Sequence, residues 1–594
     1  MMVSKSTPIR WQSTPNWEPP TPPDLSQHTE VTIDCETDGL HWYRGARPVG
    51  MAVRLPASGE EFYLPWGHKG GQNLDEAAVR EWATRELRGK RIRNLATKFD
   101  VNQIRAWGVD LAAQGCTFHD VAHSAALLDD HRREFSLNAL AEAELGLKKL
   151  EDIDTQHKAH LHELPAGLVA PYAITDVRLV DELVAAYTPR LAAENLGAVA
   201  ALEDSVIPVV CEMEWNGCPL DEEKLARWTR RSAEILDDLN WNIARAVGFQ
   251  VNPDRSTDMT RLFNHLGISS PHRTATGAPS YTAEVMQQFR HISLIDDVVK
   301  VGKLQDLRSK YLLPYTKLLV NGHLYGNYHQ LKTNEYGTVS GRFSSSGPNL
   351  QQVMTTRKQL KNYGSFDGES FIVRELFIPK RGTWFCADQE QVEFRLAGHY
   401  ANAKRVIDAY ARDPKTDFHD VVRDMIRTQK PDFDRKPAKD CNFAIIYGAG
   451  AAKRAVMMGM SLSEAQTVVD LYDAEFPEMK QVFQLAMSQA TSRGYVRTIL
   501  GRRARFPNGM RAHKALNAVV QGSAADINKL TLVDFYNARK ELGVTLRATV
   551  HDEIDCDLEG SAEVALALLN QQRLQLRVPI LWAGKTGATW AEAK

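Results

Sequence analysis

Two sets of carboxylates in this chain have the types and surroundings for metal-assisted phosphate chemistry. Asp388 closes the apolar run TWFCAD, which reads as a buried strand leading into a helix from about Gln391. Asp552 and Glu553 stand in VTLRATVHDEIDCDLE, which reads as strand, tight turn and strand with both acids at the turn. Such a turn beside a third carboxylate is a platform for a divalent cation; without Asp388 it reads as an acidic surface hairpin. The second set begins with Asp34 and Glu36 in VTIDCETDGL, two apart and so on one face of a strand. It continues with Asp100 in RIRNLATKFDVN and with Asp176 in PYAITDVRLV, where Tyr172 lies one helical turn earlier. Each acid singly reads as a solvated or capping residue. Together, four carboxylates and a hydroxyl have the parts of two-metal phosphodiester hydrolysis.

The stretch DRKPAKDCNFAIIYG, 434–448, supplies a complementary pattern. Asp434 fits an N-cap and Pro437 the first turn, where a missing N–H costs least. Arg435, Lys439, Phe443 and Tyr447 follow at steps of four and form one stripe roughly 18 Å long at ~1.5 Å rise per residue. Two cations begin it and two rings end it, as phosphates and base are laid out in a nucleoside triphosphate. By itself this is also an ordinary amphipathic helix.

The elements that must position these residues exceed one core. At 594 residues three or four domains are expected. Net charge is 72 − 74 = −2, so a nucleic-acid surface has to be a local patch. Seven scattered cysteines without a CxxC pair argue for reduced thiols and against a disulfide framework or structural zinc. No apolar run reaches 18 residues, which excludes a spanning helix. Residues 1–28 are proline-rich and read as a flexible tail. From about 200 the pattern becomes long and amphipathic, with a helix, a turn at Asn216-Gly217 and a second helix entered near Asp221. The basic run at 497–514 contains Arg497, Arg502, Arg503, Arg505, Arg511 and Lys514 with no acid among them.

The segments IDCETDGL, NLATKFDVN and YAITD resemble the three signatures of DnaQ-like 3′–5′ exonucleases. VSGRFSSSGPNLQQV, DQEQVEFR, the 434–448 stripe and VHDE resemble the motifs of family A (Pol I-like) DNA polymerases, of Klenow-like or phage type. The resemblance covers roughly 28–594 and implies a multidomain α/β and α+β chain, with an RNase H-like exonuclease domain before a right-hand polymerase. The domains expected are a tail at 1–28, exonuclease at 29–195, thumb at 200–330, first part of the palm at 331–400, fingers at 401–515 and second part of the palm at 516–594. No 5′-nuclease domain is expected before them.

By carry-over, Asp388 and Asp552 hold two Mg²⁺ ions with Glu553 in support, and Asp34, Glu36, Asp100 and Asp176 hold two more, with Tyr172 on the water; Mn²⁺ is the expected substitute. Arg435, Lys439 and His419 would take the triphosphate, Lys439 also acting in catalysis. Phe443, Tyr447 and Gln391 would frame the nucleotide, and Glu393 would close the space of a ribose 2′-OH. Phe443 in place of tyrosine implies poor use of dideoxynucleotides. Arg342, Asn349, Gln351, Arg502, Arg503, Asn517, Gln521 and His551 are expected on DNA, with Lys303, Arg308 and Lys310 as weaker thumb candidates. Gln389 and Glu390 depart from the commonest motif. Primer-template DNA and dNTPs are the implied partners, with a processivity factor or helicase/primase as accessories, no membrane, and the cytoplasm of a bacterium or phage-infected host as location. A single-subunit RNA polymerase is the rival enzyme; Glu393 and the exonuclease segments argue against it. A DNA-binding scaffold is the non-enzymatic rival, opposed by the complete acid sets.

Overall fold

Alternation of polar and apolar residues makes Glu30–Thr37 a strand (β1), and the computed structural model, which describes residues 17–69, 72–147 and 160–594, places it at the centre of the first sheet. Its partners are β2 (Pro48–Arg54), β3 (Glu61–Pro65), β4 (Arg91–Asn94) and β5 (Thr117–Asp120), in spatial order β3-β2-β1-β4-β5. The β1–β2 and β2–β3 pairs are antiparallel, whereas β1–β4 and β4–β5 are parallel. Glu36 lies opposite Gly50, where a Cβ would fall 2.3 Å from the Tyr63 hydroxyl, so only glycine fits. Helix α1 (Thr97–Ala106) follows β4, and the long α2 (Ala166–Ala193) packs across β1, β2 and β3.

Residues 17–28 are docked, contrary to the expected tail. Leu25 is fully buried, the Trp82 indole donates to Pro23 O at 2.7 Å, and Lys90 donates to Leu25 O at 2.8 Å. Leu25 and the half-buried Trp17, which packs against the core of Ala166, Val169 and Ala170, fix this proline-rich segment once the groove exists. The rest of that expected tail, 1–16, lies outside the described residues.

Helix α3 (Gly197–Asn216) leads out of the first sheet and ends at Gly217. Asp221 then caps α4 (Glu222–Val247) by accepting from Lys224 N, and Gly248 ends it at φ +78°. Helix α5 (Ser293–Leu307) packs on α4, and Ile243, Val247, Ile295, Val298 and Val301 share one core. A wider helical turn at Arg308–Leu312 follows α5.

The second sheet contains β6 (Thr383–Gln389), which continues into α6 (Val392–Ala401), α7 (Phe418–Arg427) and α8 (Arg435–Ile446). A short hairpin, β7 (Tyr495–Arg497) and β8 (Arg503–Arg505), precedes α9 (Ala515–Leu542). Strands β9 (Val544–Val550), β10 (Glu553–Leu558) and β11 (Trp582–Gly587) complete an antiparallel sheet in order β9-β10-β6-β11. Leu532 and Phe535 of α9 join Phe385, Leu546 and Ile554 in its core. A separate core, including Phe394, Phe418, Val422, Cys441 and Ile446, ties α6, α7 and α8 together beside that sheet.

Candidate active site

The β9–β10 hairpin closes with Val550 opposite Glu553, so its loop is His551-Asp552 and His551 adopts φ +60°. Its shape is held from two directions. Gln351 accepts from His551 N at 2.8 Å and donates to Thr549 O at 2.5 Å, while Asn528 donates to His551 O at 3.0 Å. Asp388 of β6 stands opposite Glu553, and Gln389 N donates to Asp552 O at 3.2 Å, which brings the end of β6 against the turn. Asp388, Asp552 and Glu553 therefore gather at one end of the sheet.

Their environments differ. Glu553 was expected at the turn; it is instead the first residue of β10 and 3% exposed. A buried charge needs partners, and Glu553 accepts from Arg374 at 2.9 Å, from the Trp590 indole at 2.9 Å and from Lys594 at 2.5 Å. Burial alone would raise its pKa, but Arg374 and Lys594 prevail and hold it down at about 2. Burial, followed by the neighbouring Asp388, pushes Asp552 up to about 7. Asp388 is also raised, by burial against the opposing pull of Lys594. Asp388 and Asp552 offer hard oxygen donors at the rim of the sheet, a donor set that suits Mg²⁺. A further buried cluster, Cys386, Glu553 and Asp555, lies within the sheet.

Facing these acids is the stripe of α8. Asp434 occupies the cap position without a side-chain cap bond, and Tyr447 is the C-cap. Arg435 is exposed and paired with Asp417 and with Asp420 at 3.2 Å; Lys439 is exposed with its ammonium 5.6 Å from the Phe443 ring. Phe443 and Tyr447 are tilted neighbours at 5.6 Å, and His419 lies 5.8 Å from Phe443. Burial lowers the His419 pKa to about 4, and Asn442 bonds its Nδ1 at 2.9 Å, so the ring is neutral. Glu393 accepts from Tyr447 at 2.7 Å and from Arg342 at 2.7 Å. Gln391 accepts from Phe418 N at 3.2 Å, joining the start of α6 to α7. Arg342, Gln391, Glu393, His419, Lys439, Phe443, Tyr447, His551 and Asp552 all line one cleft of about 330 Å³.

Several residues expected on DNA face inward. Arg502 is 4% exposed and sits between Glu203 at 2.5 Å and Asp526 at 2.8 Å, with Lys529 reaching Glu203 at 2.7 Å. Arg503 pairs with Glu194 at 2.8 Å, and Arg505 with Glu194 at 2.7 Å and Asp130 at 3.2 Å. Half of that basic run thus bonds the β7–β8 hairpin to the first sheet's neighbourhood, because charges removed from water take the nearest acids. Gln351 is 7% exposed and shapes the hairpin, and Arg308 bonds Thr229 O at 2.6 Å inside the helical module. Lys303 is partly desolvated and Lys310 pairs with Asp306 at 2.9 Å. Asn349 is exposed; Asn517 and Gln521 are half-buried on α9, Gln521 within reach of the Tyr447 hydroxyl. Arg374 and Lys594, which complete the acid cluster, carried no motif; each acts across more than 40 residues of chain.

At the first sheet, Asp34 and Glu36 lie on the same side of β1, and Asp100 of α1 is 3% exposed. Asp100 accepts from Cys35 N at 2.8 Å and from Asn94 at 2.7 Å; burial and then Asp34 raise its pKa well above the ordinary value. Tyr172 and Asp176 are buried one turn apart on α2, which packs on β1.

An acid-tipped antiparallel sheet, facing a helix that carries cations at one end and rings at the other, defines a right-hand polymerase. Comparison with known proteins agrees. The model of DNA polymerase family A matches residues 222–592. The chain is 30% identical to the DNA polymerase DpoZ of Acinetobacter phage SH-Ab 15497, over 94% of this chain and 96% of that protein. It is 27% identical to DNA polymerase I of Pseudomonas aeruginosa, over 96% of this chain and 64% of that protein. Its fold is similar to the POL domain of Pol1 from M. smegmatis in complex with DNA primer-template and dNTP, with TM-score 0.77 at 22% identity, covering 96% and 97% of the two chains. The chain belongs to DNA polymerase family A.

Proposed function

We propose that this DNA polymerase extends a primer 3′-OH with deoxynucleotides at the Asp388/Asp552 site and shortens mispaired 3′ ends at the Asp34/Glu36/Asp100/Asp176 site. The observation that carries the first half is the shared cleft, in which Asp552 and Glu393 from the sheet side meet Lys439, Phe443 and Tyr447 of α8. Asp388 and Asp552 would hold Mg²⁺, which supplies charge neutralisation and a more acidic 3′-OH when bound. The chain's own residues do the rest. Arg435 and Lys439 take the triphosphate as charge-assisted donors, Arg435 exchanging Asp417 for phosphate. Neutral His419 adds a further nitrogen at the same end. Phe443 and Tyr447 present ring faces and edges against which the incoming base pair is packed. Glu393, fixed by Tyr447 and Arg342, lines the same cleft and would close the space that a 2′-OH needs. A bulky acid held by two donors cannot swing aside without breaking both bonds, so the site favours deoxyribose.

For the second activity, the support is the convergence of Asp34, Glu36 and Asp100 at the end of β1, with Tyr172 and Asp176 on the helix packed over it. The role of such an enzyme is DNA replication or repair, with primer-template DNA and dNTPs as partners and a processivity factor or helicase/primase as candidate accessories. Among the described residues no helix is long and apolar enough to cross a membrane.

Primer extension with dNTPs against rNTPs tests the assignment. Wild type should reject rNTPs, and Glu393→Ala should raise ribonucleotide use by at least about 10²-fold relative to dNTPs, the scale of a lost steric and polar discrimination. Equal use of both sugars by the wild type would sink it.

A further inference from the structure

The segment that follows β11 is built to deliver one cation to the synthetic site. Trp590 is fully buried, stacks on Trp384 with centroids 5.7 Å apart, and its backbone N donates to Phe377 O at 3.0 Å. Ala593 is 2% exposed, and its N donates to Thr589 O at 3.2 Å. Glu592 packs back on Gly587 so closely that a Cβ there would meet it at 2.6 Å. Lys594 emerges from this anchored turn with its side chain 24% exposed, 2.8 Å from an oxygen of Asp388 and 2.5 Å from one of Glu553. The other Glu553 oxygen is already bound by Arg374 and the Trp590 indole. Glu553 thus has both oxygens engaged by fixed donors. Asp388 shares one of its two with a lysine that a dication would have to displace or repel.

We propose that Lys594 is a positioning residue that fixes Asp388 and Glu553 and lowers the affinity of the bare site for divalent cations. Metal then binds productively only when the triphosphate and primer add their own negative charge. The proposal rests on Asp388 and Asp552 being the metal holders. A resident ammonium between two carboxylates counts as a competing cation: it keeps the acids from repelling each other apart, and it opposes a second positive charge at the same oxygens.

The test is a Mn²⁺ titration of the DNA-free full chain, followed by the free-ion EPR signal, in an Asp34→Asn, Asp100→Asn background that disables the first acid set. Lys594→Met should bind Mn²⁺ about tenfold more tightly, the effect of removing one nearby charge under near-aqueous screening. Lys594→Arg should keep the wild-type affinity. The Mg²⁺ concentration for half-maximal extension should fall in Lys594→Met in parallel with the binding constant, in an otherwise wild-type chain. Unchanged or weaker Mn²⁺ binding by Lys594→Met would overturn the proposal. A different outcome addresses the reading beneath it: Asp388→Asn and Asp552→Asn that both retain full Mn²⁺ binding would show that these acids do not hold metal.

Discussion

Asp100 and Glu553 are both 3% exposed and both belong to an acid cluster at the end of a strand, yet their surroundings carry opposite charge logic. Asp100 is held by a backbone N–H and an asparagine amide, both neutral donors, and its pKa rises well above 3.8. Glu553 is held by a guanidinium, an ammonium and an indole, and its pKa falls from 4.5 to about 2. Burial acts the same way on both; the partner's charge decides the sign. At the first sheet burial and Asp34 disfavour the ionised form of Asp100, whose charge an added cation would stabilise strongly. In the second sheet Arg374 and Lys594 neutralise Glu553, which leaves Asp388 and Asp552 as the acids proposed to meet the substrate.

The comparison breaks most visibly if the cation is removed. Arg374→Met should strand Glu553 and cost about 3–5 kcal/mol in the unfolding transition of the second sheet, read by urea denaturation. Asp100→Asn keeps the shape and one of the two accepted hydrogen bonds, and in EDTA it should gain stability relative to wild type as pH rises from 4 to 8. The sign follows from the raised pKa. Asp100 contributes stability that is full below about pH 4 and is lost as pH rises through its folded value, a loss that asparagine does not suffer. Glu553 behaves in the reverse way: its contribution is present above pH 4.5 and is lost as pH falls through about 2, so Glu553→Gln should flatten acid unfolding. Trp590→Phe, which deletes one of three donors to Glu553, should cost only about 1–2 kcal/mol. Equal pH profiles for the Asp100 and Glu553 variants would erase the distinction.

How much of this could be read in the chain depends on the range of the interaction. Asp388 at a strand end, Arg435 to Tyr447 at steps of four and the capping of α4 by Asp221 are local patterns, and periodicity exposes them. The alternation around Asp34 and Glu36 is local too. Arg374, Lys594 and the Glu203–Arg502–Asp526–Lys529 network are long-range pairings, whose partners lie 24 to 326 residues apart in the network alone. An arginine in a basic run has the same local pattern whether it faces DNA or a buried glutamate; only the packed chain tells Arg502 from an exposed cation. The place of Glu553 is hidden for a related reason. A two-residue loop needs only His551 and Asp552, and the positive φ falls on His551, so the strand resumes one residue earlier than the acids suggest. Leu25 and Trp17 show the same limit at the other end: proline-rich composition conceals the side chains that anchor it.

The central claim is that one chain carries two independent acid sites with opposite reactions on a primer end. A single-turnover assay on a primer-template with a labelled 5′ end measures both, as lengthening with dNTPs and shortening without them. Asp388→Asn should lower lengthening by at least about 10³-fold and leave shortening at the wild-type rate, and Asp34→Asn should do the reverse. If either variant, folded as judged by circular dichroism, lost both activities or neither, the two-site account would be contradicted.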